Sequence, residues 1–188
     1  ALEEPKMTLD LYPKVLDING IKTKNGLGVS KASSNIKLLA GMVADMSGRK
    51  IADSAAKNAL QYISDRDLAV LTDYTLDLNN GEIRFTFTDS IDISTLDPTQ
   101  LTIMGVKDYE NHIGSKENLK LTLSNGVAFS PQGNGFFANV QMVDKDLNIL
   151  KKLRLVGSKK SNTFISVTGE FMQDVRGSAL TPILQKDG

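Results

Sequence analysis

The chain has 188 residues, 40% hydrophobic and 23% charged, an ordinary globular composition that argues against disorder. Basic and acidic residues number 22 each, so the formal charge is zero and the long-range field that draws proteins to nucleic acid or anionic membrane is lacking. There is no Cys and a single His, His112, which removes disulfide frameworks, thiol nucleophiles, Cys–His dyads and Cys₂His₂ zinc sites.

No apolar run approaches the ~20 residues of a membrane span, so direct membrane insertion is not expected. No Asn-x-Ser/Thr sequon occurs, which argues against a heavily N-glycosylated ectodomain. Asn-Gly pairs begin at Asn19, Asn25, Asn80, Asn125 and Asn134, and they mark frequent turns along the chain. The run Asp53–Ile63 (DSAAKNALQYI) reads as a helix with Asp53 as N-cap and Ala55, Ala59, Leu60 and Ile63 at compatible spacing; a linker is the alternative. Residues 74–78 and 82–88 alternate apolar and polar around Asn79-Asn80-Gly81, which predicts a half-buried antiparallel hairpin with Ile83, Phe85 and Phe87 on its inner face. Further strands are expected at 100–106, 118–123, 136–143, 154–156 and 163–167. Between them, residues 144–153 carry acids first and lysines last, the charge order a short helix prefers.

The chain is similar to itself. Asp17–Lys22 resembles Asp146–Lys151, Ser33–Ile36 resembles Lys160–Thr163, and Gly41–Gly48 resembles Gly169–Gly177, at offsets of 127 to 129 residues (162 − 35 to 177 − 48). In the last pair an Asp-x-x-Gly turn closes a strand: the Asp oxygen accepts turn amides and the Gly takes a left-handed conformation. Asp45 and Asp174 each bring one acid to that loop, whereas calcium takes six to eight oxygens, so turn chemistry is the preferred reading. Residues 1–60 match only the back half of the repeat, and 68–188 contain a complete copy. The expected organisation is therefore a partial copy plus linker at 1–67 and a complete domain at 68–188. A half-copy leaves an apolar face and strand edges uncovered; it closes on itself, docks on the complete copy, or borrows strands from another chain.

These residues suggest a family. Phe85-Thr86-Phe87-Thr88-Asp89-Ser90-Ile91-Asp92-Ile93-Ser94-Thr95-Leu96 resembles the opening of bacterial immunoglobulin-like (Ig-like) domains of the surface-layer type. Ser161–Val167 followed by Asp174-Val175-Arg176-Gly177 is similar to their closing strand and turn, although Arg49 and Ser178 stand where the family closes on Gly-Asn. The resemblance implies an all-β, Ig-like antiparallel β-sandwich with minor short helices. It also implies an extracellular or cell-surface location, a structural or adhesive role in a tandem array, and no catalytic residues to carry over.

Four acids are the candidate metal ligands: Asp89 and Asp92 among hydroxyls, and Asp144 and Asp146 two apart on another segment, with Ca²⁺ as the ion such oxygens would take. Solvated loop acids are the alternative. His112 lies in a polar stretch with no nucleophile beside it in sequence, and it reads as a loop histidine. Lys151, Lys152, Arg154, Lys159 and Lys160 form the single basic run, diluted by Asp144 and Asp146. The expectation is a non-enzymatic extracellular spacer or adhesive module. Its partners would be neighbouring Ig-like repeats or another copy of the chain, and not nucleic acid. The alternative is a ligand- or carbohydrate-binding accessory module of a larger secreted protein, which 6% aromatics and no Trp support weakly.

Overall fold

The computed structural model describes residues 10–24, 26–131 and 133–188. They divide into two compact units, one up to Ser64 and one from Asp65 onward. Most regular structure is β, in antiparallel sheets, and helices are few and short.

In the first unit, helix α1 (Val15–Lys22) has Asp17 in its first turn and Lys22 in its last. The Asp17 carboxylate accepts the Lys14 amide at 3.3 Å, which satisfies a donor at the helix start. Two short strands, β1 (Asn35–Ile36) and β2 (Lys57–Asn58), pair antiparallel. The helix expected over 53–63 is therefore not formed. Asp53 accepts the Ala40 amide at 2.6 Å instead of capping, Ser54 Oγ accepts the Leu38 amide, and the segment lies extended beside 34–38. An eleven-residue helix is marginal alone, and here backbone pairing outweighs its propensity.

The second unit opens with the hairpin of β3 (Leu71–Asp77) and β4 (Glu82–Asp92), with Tyr74 opposite Phe85 and Leu76 opposite Ile83. Asp77 accepts the Asn79 amide at 2.8 Å, and Gly81 supplies the positive φ of +76° that the turn requires. Ile83, Phe85 and Phe87 are buried, as the alternation demands. Four more strands follow: β5 (Leu101–Met104), β6 (Lys120–Thr122), β7 (Gly126–Phe129) and β8 (Gly135–Met142). After helix α2 (Asp144–Lys152) come β9 (Phe164–Val167) and β10 (Gln173–Asp174). One sheet runs β10-β4-β8-β7, with β3 also on β4; the other runs β6-β5-β9. Residues 154–156 form a turn rather than the expected strand, and it brings Val156 into the core.

A single core cluster draws Phe85 and Val140 from the first sheet, Ile103 and Ile165 from the second, and Leu147 and Leu150 from α2. Phe171 meets Phe85 edge-on, ring centroids 5.4 Å apart. Phe136 and Phe137 stay outside it; Phe137 is exposed, with the Arg84 guanidinium 4.8 Å from its ring centroid.

Each unit carries the same backbone pattern, and equivalent positions are 129 apart (157 − 28, 177 − 48 and 180 − 51 alike). Helix α1 corresponds to residues 144–151, all of α2 but its last residue. Gly28 donates to Ser33 O as Gly157 donates to Asn162 O, and both glycines have positive φ, +66° and +70°. Ser54 donates to Leu38 O at 2.9 Å as Ile183 does to Val167 O at 3.0 Å, and Ile51 donates to Val43 O as Leu180 does to Met172 O, both at 3.0 Å. Bridges join Ala44 to Lys50 and Gln173 to Ala179. The pairing corrects the sequence alignment by two positions, since Ser33, not Asn35, is the counterpart of Asn162. No described residue of the first unit corresponds to β3 through β7.

Candidate functional site

The four acids proposed as metal ligands do not converge, and among the described residues no group of three or more His, Asp or Glu is placed to hold an ion. Asp146 is buried and accepts the Ser124 amide at 2.7 Å and the Ser124 hydroxyl at 2.9 Å, tying α2 to the loop after β6. Asp144 stands in the first turn of α2. Asp92 accepts the amide and hydroxyl of Ser94 and starts a 3₁₀ turn over Ile93–Thr95. Asp89 is buried where β4 loses register between Thr86 and Ile91, and it accepts the Ser90 amide at 2.7 Å.

Beside Asp89 the structure builds a cationic centre from a residue that sequence reasoning treated only as part of a turn. The Asp174 carboxylate, 1% exposed, accepts the amides of Arg176 and Ser178 at 2.8 Å each. It also receives the Arg176 guanidinium at 2.6 Å. The remaining Arg176 donors bind the carbonyls of Asp65 and Asp67, with the Asp65 carboxylate at 3.5 Å. Burial alone would raise the Asp174 pKa, but the Ser178 and Arg176 hydrogen bonds and the adjacent guanidinium outweigh it and hold the carboxyl below the usual range. Burial opposes the charge on Arg176, but Asp174, Asp65 and Asp89 together raise its pKa. The guanidinium thus pairs with the buried Asp174 carboxylate and clasps the incoming segment 65–67 to the closing turn. The signal in the sequence was an arginine beside each Asp-x-x-Gly turn: Arg49 pairs with Asp45 at 3.1 Å, but in the open, with side chains 82% and 47% exposed.

Ser90 lies fully buried in the same region, and its hydroxyl has no hydrogen-bond partner among the described residues. His112 is half-buried in a loop, with its amide on Tyr109 O. The basic run 151–160 is solvent-exposed at every lysine. Tyr109 is flanked by Lys116 and Lys120, the nearer ammonium 4.3 Å from the ring centroid.

Two clefts indent the second unit. One, about 100 Å³, lies between Arg84, Ser130 and Phe136; the other, about 200 Å³, lies between Tyr74, Phe164 and Ile183. Both fall below the ~300–1,000 Å³ of typical small-molecule sites. Neither holds a nucleophile hydrogen-bonded to a base. No helix among the described residues is long and apolar enough to cross a membrane. A scan against protein-family models and searches of curated proteins and solved structures return no match to this chain.

Proposed function

We propose that the chain is a structural or adhesive segment of an exported protein, built from Ig-like modules in tandem and acting by protein–protein contact or as a spacer rather than by catalysis. The observation that carries this reading is the recurrence of one hydrogen-bonded half-module at a fixed spacing, which is how arrays of repeated modules are constructed. Two antiparallel sheets around one core suit an Ig-like sandwich. The small clefts and the absence of a nucleophile–base pair in them favour contact over turnover. The Arg176 clasp serves such a role directly, because it fixes the segment leading into the module against the turn that closes it.

The test is accessibility on intact cells that produce the protein. Protease added outside unlysed cells should cut it, and an impermeant amine label should modify Lys151, Lys152 and Lys159. Labelling that appears only after lysis refutes the exported role.

A further inference from the structure

The first unit exposes the face that its counterpart buries. Leu147, Leu150, Val156, Ile165 and Phe171 are each 9% exposed or less. Their counterparts 129 positions earlier, Ile18, Ile21, Leu27, Ile36 and Met42, are all apolar and 40% to 61% exposed. An apolar face kept at the same positions and left open is a receptor surface rather than a chance patch.

The second unit shows what occupies that face. There the face is covered by residues 65–143, the front half, through Phe85 on Phe171 and β5 on β9. Three amides of its back half also donate into the front half: Thr168 to Gln100 O at 3.3 Å, Gln173 to Thr95 Oγ1 at 2.9 Å and Val175 to Ser90 O at 3.2 Å. The matching amides of Leu39, Ala44 and Met46 have no partner among the described residues.

Charge identifies the occupant further. Residues 65–143 carry eleven acidic and five basic side chains, whereas residues 144–188 carry five and eight. The first unit, over residues 10–64, has four acidic and eight basic. It therefore has the polarity of a back half and attracts the same acidic complement. The front half of a second copy is already seated on its own back half, through β5 on β9 and Phe85 on Phe171, so it is not free to supply the complement.

We propose that the face of the first unit is the docking site for an acidic antiparallel β-segment of the β3–β8 kind that has no back half of its own, and that seating it closes a second module. This deepens the tandem-module reading, but its test is independent of where the protein resides.

The experiment replaces residues 1–14 of the chain with a duplicate of residues 65–143, so that the duplicate joins Val15 as Val143 joins Asp144. Hydrogen exchange at the Leu39, Ala44 and Met46 amides should slow at least ~100-fold relative to the unextended chain, with a fall in hydrophobic-dye emission. Unchanged exchange, with Phe85 and Ile103 of the second unit still protected, overturns the proposal. Protection that survives Ile83→Asp with Phe85→Asp in the duplicate also overturns it, since tethering rather than seating is then the cause. In the unextended chain, Ile36→Lys with Met42→Lys should leave exchange throughout the first unit unchanged; accelerated exchange means the face is already a core and refutes the idea. Light scattering that shows a concentration-dependent dimer, abolished by those two lysines, assigns the face to a second copy and refutes it equally.

Discussion

Replacing Asp174 with Ala and, separately, Asp45 with Ala perturbs the same turn in two settings. In the second unit the lost carboxylate is 1% exposed and serves two backbone amides and a guanidinium. Removing one partner of a buried ion pair strands the other and costs about 3–5 kcal/mol. Arg176 is 25% exposed and keeps the Asp65 and Asp67 carbonyls, which places the cost at the lower end, about 3 kcal/mol. The Asp45–Arg49 pair is open to water, so its loss costs about 1 kcal/mol or less. Native-state hydrogen exchange in rising urea, read at the Phe85 and Ile103 amides, isolates the opening of the second unit. Asp174→Ala should lower its opening free energy by about 3 kcal/mol, more than a hundredfold in the equilibrium constant. Asp45→Ala should leave those amides unchanged and cost the first unit about 1 kcal/mol at most. Equal losses in the two units, or a loss below about 1 kcal/mol at Asp174, would refute the assignment of the clasp as a buried, coupled pair.

The depressed Asp174 pKa sets an acid limit on the second unit. Its stabilisation is complete above the unfolded carboxyl value of about 3.9 and is lost as pH falls through the lower folded value. Melting curves should therefore drop below about pH 4, and more shallowly in Asp174→Asn. Phe85→Ala removes a fully buried ring stacked edge-on to Phe171 and should cost about 3–5 kcal/mol by denaturant titration. Ser90→Ala deletes a buried hydroxyl without a partner and should be neutral or stabilising, by up to about 1 kcal/mol; a destabilisation above that would reveal a bond to the hydroxyl. Calcium at 1 mM against chelator should not shift the melting temperature, because among the described residues no three acids are placed to hold an ion and Arg176 already pairs with Asp174; a clear rise would restore the calcium reading.

The elements that were legible in the sequence are those whose side chains report a local period. The hairpin over 74–88 shows alternation on both sides of a demanding turn, and α2 shows its charge order. What escaped depends on partners distant in sequence. Residues 53–63 look helical alone, but they are held extended by Leu38 and Ala40; aligning Ser54 with Ile183, which follows Pro182, would have signalled this. Helix α1 carries Gly20 in its interior and little amphipathic contrast, so only its pairing with α2 identifies it. At the candidate site, the spacing of the acids allows them as ligands. A cation contributed by Arg176, more than eighty residues from Asp89 in sequence, is invisible to spacing.

The clasp also determines how the second unit would respond to tension. A pull on the chain ahead of Asp65 reaches the guanidinium bonds at Asp65 and Asp67 before it reaches β3. Those bonds and the Asp174 pair share the load with a turn held by three further backbone donors, Asp174 to Ser178, Gly177 to Asp174 and Val175 to Ser90. Without them the same pull would bear directly on the β3–β4 pairing. A short arginine bridge thus sets one coupled group of bonds ahead of the sheet along the chain.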